Sequence, residues 1–151
     1  DGSFQDPGMN SFNHFAYGAI GEFLYRVVAG LDSDEAEPGY RHVVARPRPG
    51  GGLTSASASL ETRYGEAASE WALTGNRMTV RVTVPPNARG TIFLPGAAGR
   101  TVHEIGVPVE KAVGVRGTRI DAGDFVVEVG SGRYELSWET ERSDTKPEVK
   151  P

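Results

Sequence analysis

Apolar side chains recur at Phe12, Phe15, Ala16, Ala19, Ile20, Phe23, Leu24, Val27, Val28 and Leu31, a spacing of three and four residues that follows one face of an α-helix. Asn10 or Ser11 supplies an N-cap whose side-chain oxygen accepts from free N–H groups of the first turn. Gly30 suits the left-handed position that ends such a helix after Ala29. The opposite face is unusual. It carries Asn13, His14, Tyr17, Gly18, Gly21 and Tyr25 instead of the charged residues of a face turned to water. A glycine inside a helix costs roughly 1 kcal/mol against alanine. Two of them point to close approach by another backbone or a ligand, or simply to tight packing. Either way, the helix reads as covered on both sides.

After residue 39 the period changes to two. The stretches 40–47, 53–64, 67–75, 77–86, 90–96, 101–106, 114–118, 125–132 and 133–139 alternate or nearly alternate, as half-buried strands do. Turn signals separate them, among them Pro-Gly-Gly-Gly at 49–52, Gly-Asn at 75–76 and Gly-Ser-Gly at 130–132. The pattern predicts a mainly β fold, an antiparallel β-sandwich of about eight strands preceded by one long helix. It divides the chain into a loop and helix over 1–31, a solvated acidic linker over 32–39, a sandwich over 40–139, and a disordered tail over 140–151 rich in charge and proline.

Composition narrows the function classes. The 151 residues suffice for one domain with a real core and an attached element, and 38% hydrophobic with 24% charged residues is a globular mixture. A net charge of −4 with no long basic run argues against a nucleic-acid partner held through its phosphates. No cysteine is present, so disulfides and thiolate chemistry are excluded. His14, His42 and His103 lack metal-ligand spacing, and no cofactor motif occurs. The longest apolar run is too short and too interrupted to span a bilayer, so no membrane partner is expected. The chain opens on "DGSFQDPG", turn chemistry with neither an initiator Met nor a secretory leader. It therefore reads as part of a longer protein, and the sequence assigns no compartment.

His14 is the residue of greatest chemical interest. It falls in the first helical turn, where the helix dipole disfavours added positive charge. A neutral imidazole there donates from one nitrogen and accepts at the other, which suits a sugar hydroxyl; the bland reading is a satisfied structural histidine. Asn13 and Tyr17 add polar groups nearby. Trp71 shares its strand face with Leu73, and Trp138 with Leu136 and Tyr134, so both indoles read as core residues ahead of exposed sugar platforms. Arg46 and Arg48 in "ARPRPGG" read as contacts to a neighbouring domain.

The stretch "DGSFQDPGMNSFNHFAYGAIGEFLYRVVAGL" resembles the end of the catalytic domain of bacterial α-L-rhamnosidases of glycoside hydrolase family 78. "PGYRHVVARPRPGGGLTSASASLETRYGEAASEW", "VTVPPNARGTIFLP" and "VGSGRYELSW" resemble that family's C-terminal β-sandwich, so the likeness runs from Asp1 to about Trp138. It implies that the helix is the last of an (α/α)₆ catalytic barrel, whose other helices lie upstream as its partner. It also implies hydrolysis of terminal α-L-rhamnosyl glycosides with inversion by two carboxylates. An acid protonates the leaving oxygen while a carboxylate activates water, across a gap of roughly 6.5–9.5 Å. Both are expected upstream, so no catalytic residue maps onto this chain and the isolated chain is expected to be inactive. The resemblance places His14 in the rhamnose pocket, with Asn13, Asp6 and Met9 as weaker candidates. The alternatives are an independent carbohydrate-binding module, which requires exposed coplanar aromatics, and a purely structural accessory domain.

Overall fold

The computed structural model describes the backbone of residues 15–140 and the side chains of residues 18–140. Helix α1 (Phe15–Phe23) runs without a break into a wider π-helical turn (Leu24–Ala29). Gly30 then closes the helix at φ +77°, donating its N–H to the carbonyl of Tyr25. The predicted C-terminus is therefore correct to the residue. The proposed caps Asn10 and Ser11, and the tail over 141–151, lie outside the described residues.

Eleven strands follow among the described residues. The first six are β1 (Leu31–Ser33), β2 (His42–Ala45), β3 (Ser55–Thr62), β4 (Gly65–Thr74), β5 (Arg77–Val84) and β6 (Arg89–Leu94). After them come β7 (His103–Glu104), β8 (Val107–Pro108), β9 (Val115–Asp121), β10 (Asp124–Val129) and β11 (Gly132–Glu139), with a short 3₁₀ turn, Val109–Lys111, before β9. They form a five-stranded sheet in the order β1-β2-β6-β10-β9 and a six-stranded sheet in the order β3-β4-β5-β11-β7-β8.

Two features correct the sequence reading. The strand count exceeds the expected eight or so: β7 falls within the stretch 101–106, but β1 and β8 span only three and two residues and are too short to display alternation. The fold is not purely antiparallel either: β2 pairs with β6 in parallel, His42 opposite Arg89 and Ala45 opposite Ile92. Periodicity identifies a strand but not its direction. Here the chain leaves for the other sheet through β3 to β5 and returns as β6 running alongside β2.

Alternation fixes which side each strand buries. On β5 the buried residues are Met78, Val80, Val82 and Val84; on β11 they include Tyr134, Leu136 and Trp138. Register places Trp71, Val80 and Leu136 in one row. A single buried cluster joins these residues to Leu31, Val43, Ala45, Ile92, Leu94, Val127 and Val129 of the other sheet. The two sheets approach closely at Gly90, where an added Cβ would sit 2.8 Å from Val84 Cγ2 and 2.9 Å from Val129 Cγ2. Both tryptophans are core residues, as their strand parity predicts.

Candidate functional site

The four residues singled out for sugar binding, His14, Asn13, Asp6 and Met9, all lie outside the described residues. The described helix begins at Phe15. What the structure describes is how the rest of that helix is held, and two polar surfaces on the sheets.

The C-terminal end of the helix is fastened to the sheets through four consecutive carbonyls. Val27 accepts from the Arg48 N–H at 3.2 Å and Gly30 from the Arg46 N–H at 2.8 Å. Val28 accepts from Trp71 Nε1 at 2.7 Å, and Ala29 from the Ser69 hydroxyl at 2.8 Å. A helix leaves four such carbonyls without internal partners, and here β4 and the strand end after β2 satisfy them all. Gly30 is obligatory, since an added Cβ would lie 2.2 Å from the Pro47 nitrogen. Beyond this seam the described part of the helix is largely uncovered. Ile20 is 58% exposed, Phe23 54% and Leu24 50%, and a Cβ at Gly18 or Gly21 would meet nothing within 4 Å. Among the described residues, then, no backbone outside the helix approaches either glycine.

The outward side of the six-stranded sheet forms a groove of about 690 Å³ overhung by Tyr25, whose hydroxyl donates to the Ser59 carbonyl at 3.4 Å. Register aligns Glu70, Arg81 and Glu135 across three strands, so the guanidinium donates to Glu135 at 2.7 Å and to Glu70 at 2.9 Å. These two bonds, Glu135 first, raise the Arg81 pKa further and keep it charged.

The outward side of the five-stranded sheet holds a cleft of about 580 Å³. Thr91 donates its hydroxyl proton to Glu128 at 2.8 Å, so the 2.7 Å contact with His42 Nε2 is one in which the imidazole donates. Asp34 Oδ2 lies 2.9 Å from His42 Nδ1 but without the alignment of a hydrogen bond. Asp34 accepts instead from the Ala36 N–H at 2.8 Å; this bond, aided by His42, holds its carboxyl below the usual range. Glu37 is held low by its pairing with Arg89, and Glu128 also pairs with Arg119. The order Asp34–His42–Thr91 imitates a hydrolytic triad. It is not one, because the threonine is buried and its proton is committed to a carboxylate.

Sequence reasoning passed over these groups. The acidic run read as a free linker contributes Asp32 and Ser33 to β1, Asp34 to the His42 contact and Glu37 to Arg89. Ser69 carried a legible signal: it is a polar residue on the strand parity of Ala67 and Trp71, and a buried hydroxyl needs a partner. Arg46 is held over the Phe93 ring at 3.7 Å, with Asp124 4.0 Å from its Nε. Among the described residues, no group of three or more His, Asp or Glu is placed to hold a metal ion. No described helix is long and apolar enough to cross a membrane.

Residues 30–107 match the family described as the bacterial alpha-L-rhamnosidase C-terminal domain. The chain belongs to this family. An alpha-L-rhamnosidase of Streptomyces avermitilis is 39% identical over 138 residues, covering 91% of this chain and 12% of the relative. The crystal structure of the Streptomyces avermitilis enzyme complexed with L-rhamnose superposes with a TM-score of 0.71 at 36% identity, over 90% of this chain and 12% of that one. The alpha-L-rhamnosidase from Dictyoglumus thermophilum gives 0.74 at 33% identity, over 88% and 15%. This rhamnosidase C-terminal chain thus spans about an eighth of the length of the Streptomyces relative. The family match begins at Gly30, the residue that ends the helix, so the seam lies at its edge.

Proposed function

We propose that this chain is the C-terminal part of an inverting α-L-rhamnosidase that removes terminal α-L-rhamnose from glycosides. In this reading residues 1–31 end an (α/α)₆ catalytic barrel, 32–39 connect it while lending β1 (Leu31–Ser33) to the sheet edge, and the strands over 40–139 close as an accessory β-sandwich. The observation that carries it is the divided helix: its last four carbonyls belong to the sheets, while Ile20, Phe23 and Leu24 present apolar surface that the barrel helices would cover. His14, six residues before Ile20 in the sequence, is the rhamnose-pocket residue, with Asn13, Asp6 and Met9 as lesser contributors. The acid that protonates the leaving oxygen and the carboxylate that takes a proton from water belong to the upstream barrel.

Two measurements test this. The 151-residue chain alone should not hydrolyse 4-nitrophenyl α-L-rhamnoside, and turnover by it would sink the reading. In the protein extended through the barrel, His14→Ala should lower kcat/KM for that substrate by about a hundredfold while leaving Tm unchanged. Unaltered kinetics would remove His14 from the site. The rival reading as an independent sugar-binding module through Trp71 and Trp138 is disfavoured, since both indoles are buried in the core.

A further inference from the structure

Strand register builds a trough on the outward side of the six-stranded sheet. Ser59, Ala68, Thr83 and Arg133 stand opposite one another across β3, β4, β5 and β11. The first three are small, so they form a low floor across three strands, about 10 Å at ordinary strand spacing. The neighbouring row, Glu70, Arg81 and Glu135, rises beside it as a wall. On the other side Arg133 reaches diagonally toward Glu66, 3.8 Å from its carboxylate. Tyr25 stands at the β3 end of the trough and Ile105 at the β7 end.

The chemistry of the trough selects its ligand. All five charged side chains are paired, Arg81 with Glu70 and Glu135, and Arg133 with Glu66, so an ion meets no unmatched charge. Hydrogen-bonding capacity remains. The carboxylates keep lone pairs and Arg81 keeps N–H groups beyond these bonds. Among the described residues, the hydroxyls of Ser59 and Thr83 make no hydrogen bond. A wall that alternates acceptor and donor at fixed spacing matches adjacent hydroxyls on a ring, each of which both donates and accepts. Tyr25 is anchored by its hydroxyl on the Ser59 carbonyl, which fixes the apolar ring. Ile105 is the sharper signal. It lies 72% exposed at φ +43°, before Gly106 at +81°, in a two-residue turn that favours Asn, Asp or Gly. A β-branched residue is a steric outlier there, and strain of this kind points to function. Its N–H donates to the Glu135 carbonyl at 3.2 Å, so the exposed side chain is tied to the end of the charged wall.

We propose that this trough binds a neutral oligosaccharide, whose hydroxyls bond the Glu70–Arg81–Glu135 row and whose apolar faces rest against Tyr25 and Ile105. The choice of a saccharide among neutral polar ligands rests on the rhamnosidase reading above; the neutrality and the place rest on the trough alone. No core indole takes part, which separates this site from a module built on Trp71 and Trp138. Its consequence is retention of the protein on a neutral glycan chain.

The probes are cellotetraose, xylotetraose and a rhamnose tetramer, with trigalacturonate as the charged control, titrated into the 151-residue chain by calorimetry and amide NMR. At least one neutral tetramer should bind with a Kd of about 1 mM or tighter and shift the Ala68, Thr83 and Ile105 signals. Its affinity should change less than about twofold between about 0.05 M and about 0.3 M NaCl. Ala68→Phe, at an outward strand position that suits an aromatic, fills the floor and should weaken binding about tenfold or more. Ile105→Asn should raise Tm by relieving the turn, yet weaken binding about threefold or more. Silence from all three neutral tetramers, tighter binding of trigalacturonate, or unchanged affinity in Ala68→Phe or Ile105→Asn would overturn the inference. Loss of binding in the barrel-extended protein would assign the trough to a contact with the upstream domain, and overturn it too. None of these readouts depends on rhamnoside turnover, so failure here and failure of the hydrolytic reading are distinguishable.

Discussion

Val27–Gly30 and Ile20–Leu24 belong to one helix and are similarly apolar, yet they live in opposite surroundings. The first segment is buried or half-buried, and every carbonyl in it has a donor from the sheets. The second makes no comparable attachment and leaves three large hydrophobic side chains half-exposed or more. The difference teaches that apolar periodicity records that a face will be covered, not by which part of the protein. One stripe can serve two partners in succession.

The contrast can be broken most severely at Gly30. Gly30→Ala forces a side chain into a left-handed backbone and against the Pro47 nitrogen, and should cost about 3 kcal/mol or more in denaturant unfolding. A smaller loss would mean that the seam yields easily. Next come the side-chain donors. Trp71→Phe removes the indole N–H and leaves the Val28 carbonyl buried and unpaired beside a small void, an expected loss of about 2 kcal/mol. Ser69→Ala orphans the Ala29 carbonyl for about 1 kcal/mol. The least effect belongs to the uncovered segment: Phe23→Lys should change the stability of the 151-residue chain by no more than about 0.5 kcal/mol. The same substitution in the barrel-extended protein should be far more damaging, and equal tolerance there would argue that nothing covers this face.

Much of this arrangement was legible in the residues, and the failures have physical reasons. Helix periodicity with a terminal glycine located the C-terminus, because a 3.6-residue repeat and a positive φ both leave marks on composition. Long strands such as β4, β5 and β11 were legible for the same reason, and their parity buried both tryptophans correctly. Direction and pairing were not, since the parallel β2–β6 contact joins residues separated by three strands of the other sheet. Nor was the engagement of the acidic run. Asp34 and Glu37 carry no local signal for His42 and Arg89, which lie on β2 and at the start of β6. The cleft was hidden likewise: Arg46 was singled out as an interdomain contact, while Arg116 drew no attention within "GVRGT". Only the fold sets both along the same cleft, Arg46 after β2 and Arg116 on β9.

The seam also bears on how proteins carrying this domain can be taken apart and recombined. Leu31 is fully buried and Ala29 nearly so, and both sit on the helix side of the acidic run. A shuffling junction placed at residue 32 would therefore cut through the packed interior and strip Ser69 and Trp71 of their acceptors. A transplantable unit has to carry the helix end with the sheets, from about Leu24 onward. Inheritance of this region as a module is then constrained by four hydrogen bonds, and on the proposed reading a borrowed barrel would have to arrive with its last turn already fitted to β4.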